Sequence, residues 1–242
     1  AQEGEQLDDL TPLADVQWLA LQASADTLGL VGLPLEITAS NVDVLFNQVL
    51  DDGSVSTVLP VLDLADNPLT IAQVGDTTLS LAIDGSRGAI AKVEADAALT
   101  LAGVVSLEGR IGFEQAQRTV TLTDGDSGLV DALTLSLVDG AARISTGPAE
   151  EALGLRVEDL DAALVLATTA QGSDLAAGSW MTLLGDAATV SLLGGTAIDA
   201  SLTGSDLGLR LNTRLDGEGA VIDWSQDPTT VGSYTLDFED EA

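Results

Sequence analysis

Residues 118–125 read RTVTLTDG and residues 132–140 read ALTLSLVDG. Threonine alternates with Val120 and Leu122 in the first, and small polar residues alternate with Leu133, Leu135 and Leu137 in the second. A period of two is the signature of a β-strand, because successive side chains leave opposite faces of the backbone. The same habit extends outward in both directions. LSLAIDG at 79–85 places Leu79, Leu81 and Ile83 on one face, and VSLEGRIGFE at 105–114 places Val105, Leu107, Gly109, Ile111 and Phe113 on one face. MTLLG, ATVSLL and LGLRLN repeat it further on. The turns between such runs are written in Asp-Gly, at Asp52, Asp84, Asp124, Asp139 and Asp216, each followed by glycine. Asp-Gly accepts positive φ and signals a hairpin. The pattern predicts an all-β chain. Its best helix candidate is AEEALGLRVEDLDA at 149–162.

The inward-facing residues are small aliphatics with few aromatics among them. Such ladders suit an elongated, repetitive β structure with β-solenoid character. The Asp-Gly turns favour the alternative, an antiparallel β-sandwich or meander.

The chain also repeats itself. NVDVLFN at 41–47 and DLGLRLN at 206–212 each follow a tryptophan, Trp18 and Trp180, at a similar distance. Both copies reach an acidic glycine turn, LDDGS at 50–54 and LDGEG at 215–219, and then an apolar-acidic stretch, VLPVLDLAD at 58–66 and AVIDWSQD at 220–227. The tryptophans stand 162 residues apart, a spacing too long for the common solenoid repeats of roughly 20–50 residues. It is the length of a module. Residues 1–98 read as the C-terminal and inter-module part of one repeat and residues 99–242 as the start and middle of the next. The expected parent is a tandem array, with the chain beginning and ending mid-module.

Composition limits the partners. Hydrophobic residues make up 45% of the 242, yet 39 acids against 8 basic residues give a formal charge of −31. Acidic disordered chains are poor in apolar residues, so this chain should fold with its acids on the surface and in turns. Such a surface repels nucleic-acid phosphate and anionic lipid. It attracts cations, and Ca²⁺ is the hard cation that suits carboxylates. The chain has no cysteine and no histidine, which removes disulfides, thiol chemistry, Cys-based zinc sites and histidine triads. No apolar run approaches the roughly 18 residues of a membrane-spanning helix, and AQEGEQLDDL has none of the marks of a signal peptide.

A succession of motifs carries a resemblance: LTLAGVVSLEGRIGFEQ (99–115), VTLTDGDSG (120–128), LTLSLVDGAARI (133–144), LGLRVEDLDAALVLA (153–167), SWMTLLGDAATVSLLGG (179–195), LTGSDLGLRLN (202–212) and AVIDWS (220–225). This order resembles tandem modules of giant acidic bacterial extracellular repeat proteins of the surface or adhesin type. It covers roughly 99–225 plus 18–47. The resemblance implies an extracellular or cell-surface location and a spacer-like, filament-forming or adhesive role. It carries over no catalytic residue.

The candidate metal ligands are acids in glycine turns. Asp124 and Asp126, with Ser127, offer side-chain and backbone oxygens in one small loop. Asp51 and Asp52 recur as Asp216 and Glu218 in the equivalent turn of the second copy. A plain hairpin or repeated turn requirement is the preferred reading of each. Glu158, Asp159 and Asp161 read as a solvated face or a helix start. Trp18 and Trp180 read as packing residues, with a carbohydrate platform as the alternative, and Asn47 and Asn212 as strand ends explained by a turn or by a buried backbone-bonding ladder. No pair of acids singles itself out as catalytic, so the chain is expected not to be an enzyme. The function expected is a structural module of a long surface scaffold, filament or adhesin stalk, whose partners are neighbouring copies within one chain or head to tail. The alternative is a calcium-stabilised binding module for a glycan or protein partner.

Overall fold

The computed structural model describes residues 16–30, 35–51, 54–56, 59–74, 77–101, 104–145, 154–193 and 203–238. They form thirteen strands: β1 (Val16–Leu30), β2 (Leu35–Asp51), β3 (Ser54–Ser56), β4 (Leu69–Val74), β5 (Thr77–Leu81), β6 (Ile90–Leu101), β7 (Val105–Thr121), β8 (Ser127–Ser145), β9 (Gly154–Thr169), β10 (Ser179–Leu193), β11 (Thr203–Arg214), β12 (Thr229–Val231) and β13 (Tyr234–Leu236). The fold is all-β. Among the described residues the one helical piece is the short 3₁₀ turn Gly85–Arg87, capped by the Asp84 carboxylate.

Eight long strands make one open antiparallel sheet in the order β1-β2-β6-β7-β8-β9-β10-β11, with β3 beside β2. Two small hairpins, β4–β5 and β12–β13, lie off that path. The described residues thus form an antiparallel meander, the arrangement that Asp-Gly turns favour, and not stacked parallel coils. The sheet runs unbroken through β6, inside which the 98/99 boundary falls.

The helix candidate at 149–162 is, where described, part of strand β9; residues 149–153 lie outside the described residues. β9 pairs along most of its length with both β8 and β10. Two-sided pairing of Ala163, Val165 and Ala167, all buried, outweighs the local helical preference of an Ala-, Glu- and Leu-rich stretch.

A second correction concerns Asp139-Gly140. The chain does not turn there; β8 continues to Ser145. Asp139 takes φ 50°, and the register with β9 shifts between Leu137 and Gly140. The left-handed residue inserts a bulge instead of a reversal. Asn41, Asp159 and Asp206 adopt the same conformation at gaps in the registers of β2, β9 and β11. Only Asn and Asp among these side chains tolerate it readily, which explains acids and amides in mid-strand. A series of kinks at comparable levels therefore crosses strands of 12–19 residues.

The core also differs from the expected ladder. Leu133, Leu135 and Leu137 are only half-buried, and Phe113 is exposed. On β8 the opposite face is the buried one, through Val130 and Ala132, whereas Val120 and Leu122 are buried as their alternation with threonine predicts, together with Val165 and Ala167. The segment after β11 folds over that face and contributes Ile222, Trp224, Val231, Leu236 and Phe238, with Trp180 of β10 at the centre. The few aromatics thus concentrate where the covering segment meets small sheet residues, since Ala132, Ala163 and Ala167 leave room for the indoles.

Candidate functional site

The most organised polar feature is a clasp that occurs twice. On β10, the Trp180 indole N–H donates to the Ala220 carbonyl at 3.0 Å. On β11, the Asn212 amide donates to the Ile222 carbonyl at 2.8 Å. Together they fasten the covering segment to the sheet. On β1, the Trp18 indole donates to the Pro60 carbonyl at 3.1 Å, and on β2 the Asn47 amide donates to the Leu62 carbonyl at 2.7 Å. One residue further along each covering segment, Asp223 Oδ1 accepts from the Ser225 amide and Asp63 Oδ1 from the Ala65 amide. The two tryptophans, two asparagines and two aspartates occupy the same roles. The backbone bonding expected of Asn47 and Asn212 is what both do, and each is buried because a side-chain amide can satisfy an inward carbonyl.

The copies differ in two ways. Thr182 stands opposite Asn212 in the register of β10 and β11, donates to Asn212 Oδ1 at 3.0 Å and accepts from the Trp224 indole at 2.9 Å. Ala20 stands at that place opposite Asn47, and among the described residues Asn47 Oδ1 is buried without a partner. The tryptophans also differ in cover. Trp180 is 1% exposed and Trp18 is 44% exposed. β10 has β9 on its far side, whereas among the described residues no strand pairs with the far side of β1. Gly178, in the link from β9 to β10, approaches Trp180 so closely that an added Cβ would meet the ring at 2.6 Å.

The sequence-predicted acids fall into three situations. Asp124 and Asp126 sit in the exposed β7–β8 turn, where Asp124 Oδ1 accepts the Asp126 amide at 3.2 Å and Gly125 supplies φ 94°. The same loop is tied to the covering segment by Thr123 N–H to the Val221 carbonyl. Asp216 is held by Arg214, whose Nε donates to Oδ1 at 2.7 Å. That hydrogen bond lowers the Asp216 pKa and raises that of Arg214, with the nearby charge of Asp124 adding to the latter. The same guanidinium lies over the Trp180 ring, 5.6 Å from its centroid. Glu218 is exposed in the turn beyond. Asp51 ends β2, with nothing described of its side chain, and Asp52 lies outside the described residues. Among the described residues no three acids converge as metal ligands do.

The acid cluster in β9 resolves into separate tasks. Glu158 pairs with Arg156 at 2.7 Å. Asp159 supplies a kink, and Asp161 accepts from the Asp139 amide at 2.7 Å and the Ser233 hydroxyl at 3.0 Å. Tyr234 donates to Asp186, so burial and that carboxylate together push its pKa up. These contacts pin the β12–β13 hairpin to the kinked part of the sheet. Sequence reasoning missed this clamp, because Tyr234 is 73 residues from Asp161 and only the fold joins them.

A concavity of about 570 Å³ lies between the sheet and β5. Gln22, Asp43, Ser80, Lys92 and Glu94 line it, and Lys92 is engaged by Glu94 at 2.9 Å. Lys92 is the one basic residue in that lining, against the two acids Asp43 and Glu94. No helix among the described residues is long and apolar enough to cross a membrane. Comparison with protein-family models, with curated proteins and with solved structures finds no match to this chain.

Proposed function

We propose that the chain is a structural module of an extracellular bacterial repeat protein that builds a long surface scaffold, filament or adhesin stalk. One observation carries this reading: the same tryptophan–asparagine clasp recurs near both ends of a single continuous sheet, 162 residues and six strand steps apart. A sheet whose motif recurs with its strands still in register can extend without a change of architecture. At about 4.8 Å per strand, six steps advance the sheet by roughly 29 Å per module, before twist. The mechanism is mechanical. Backbone ladders bear the load along the array, the clasps hold a covering layer on one face, and the acidic surface keeps neighbouring arrays apart.

A calcium-stabilised module that binds a glycan or protein is the alternative, and its support is the exposed Asp124–Asp126 turn. Antibodies against the purified chain test the scaffold reading on intact and permeabilised cells of the source organism. Labelling of intact cells in long surface structures is expected. Labelling only after permeabilisation would overturn it.

A further inference from the structure

The two copies of the clasp differ in which sides of their hairpins are covered, and the covered copy shows what each open edge accepts. β2 and β11 are counterparts, with Asn41, Val42, Val44 and Asn47 matching Asp206, Leu207, Leu209 and Asn212. β2 is paired on both sides, with β1 and with β6. β11 is paired with β10, and among the described residues no strand pairs with its other side. The difference shows in exposure. Val42 is 8% exposed, whereas Leu207 is 47% and Leu209 is 58% exposed.

We propose that the outer edge of β11 is a docking edge for an antiparallel strand of β6 chemistry, supplied by another copy of the module. The inference rests on the scaffold reading and adds the partner, the edge and the register. The register is that of β2 with β6, in which Asn47 faces Ile90 and Val44 faces Val93. The incoming strand thus sets its isoleucine against Asn212 and its valine against Leu209, continuing the apolar rows of the sheet. A one-residue slip would turn those side chains to the wrong face, so the register is specified. Main-chain bonds supply affinity and the alternating side chains supply selectivity, as in other strand-addition interfaces.

One position departs from the template. The Asn41 amide donates to Asp96 of β6 at 2.6 Å. Asp206 replaces that donor with a second acid, which would face the aspartate of an unmodified β6 strand. The best partner therefore carries a hydrogen-bond donor in place of Asp96.

The test uses the full chain and synthetic peptides, read by backbone hydrogen exchange. The β6 peptide IAKVEADAALTL (90–101) should slow exchange at alternate amides of 203–214 and leave 16–30 unchanged. The β9 peptide GLRVEDLDAALVLATT (154–169) should do the reverse, because β10, the counterpart of β1, has β9 as its neighbour. The β6 peptide with Asp96→Asn should bind roughly two- to five-fold more tightly than the unmodified one. Absence of protection in 203–214 at millimolar β6 peptide overturns the proposal, as does protection of β1 by that peptide. So does equal protection of 203–214 by both peptides. Cell labelling does not depend on which edge a peptide protects, so failure here is separable from failure of the scaffold reading.

Discussion

Thr182 and Asn212 face each other across β10 and β11 and share a 3.0 Å hydrogen bond, while their counterparts Ala20 and Asn47 share none. Among the described residues Asn47 Oδ1 is left buried and unpaired. Ala20→Thr is expected to supply the missing donor and stabilise the chain by about 1 kcal/mol. Thr182→Ala removes a donor and an acceptor at once and should cost about 1–3 kcal/mol. Urea unfolding midpoints at constant slope measure both, and a neutral or destabilising Ala20→Thr would refute the equivalence of the two sites.

The tryptophans should separate in the same assay. Trp180→Ala empties the centre of the core and should cost roughly 3–5 kcal/mol. Trp18→Ala should cost roughly 1–2 kcal/mol, because nearly half of the side chain is already in water. Acrylamide should quench the emission of Trp18 and leave that of Trp180 and Trp224 nearly untouched, with single phenylalanine replacements assigning each signal.

Self-repulsion at a formal charge of −31 makes salt stabilising. Raising NaCl from 10 mM to 0.5 M shortens the screening length from about 30 Å to about 4 Å. The thermal midpoint should rise by roughly 3–6 °C. A midpoint that falls with salt would mean that attractive ion pairs dominate the surface.

Calcium and magnesium chloride at equal ionic strength should give midpoints within about 2 °C of each other if the acids serve turns and solubility. A gain specific to Ca²⁺, abolished by Asp124→Asn with Asp126→Asn, would support the binding-module alternative instead.

Asp216 has a folded pKa held below its usual 3.8 by the hydrogen bond from Arg214. A depressed carboxylate contributes stability above the unfolded pKa and loses it as pH falls through the folded one. Asp216→Asn should therefore lower the midpoint slightly at pH 7, and the difference should close progressively below pH 3.8. A difference that persists unchanged at pH 2 would assign the effect to packing instead.

Alternation made the all-β class legible in the sequence, since a period of two has no other common structural source. The shared roles of Trp18 with Trp180 and of Asn47 with Asn212 were legible too, because tryptophan is rare here and the two spacings, 29 and 32 residues, are similar. The role of Asp139-Gly140 was not legible. The same left-handed residue makes a hairpin or a bulge according to whether the next segment pairs onward, and β9 decides that from outside the local stretch.

The sequence by itself determined strand character, the surplus of negative charge and the pairing of Trp18 with Trp180 as equivalents. These are local or compositional properties, carried by side-chain period and residue type. Only the tertiary structure decided which face of each strand is buried. Both faces of β8 carry apolar residues, and the choice fell to the face that the 220–238 segment covers. It also decided that Asp216 faces a guanidinium, that Tyr234 meets Asp186, and that Trp18 and Trp180 sit in different surroundings. Each of these depends on which strand lies alongside, a relation between segments distant in sequence that no local pattern encodes.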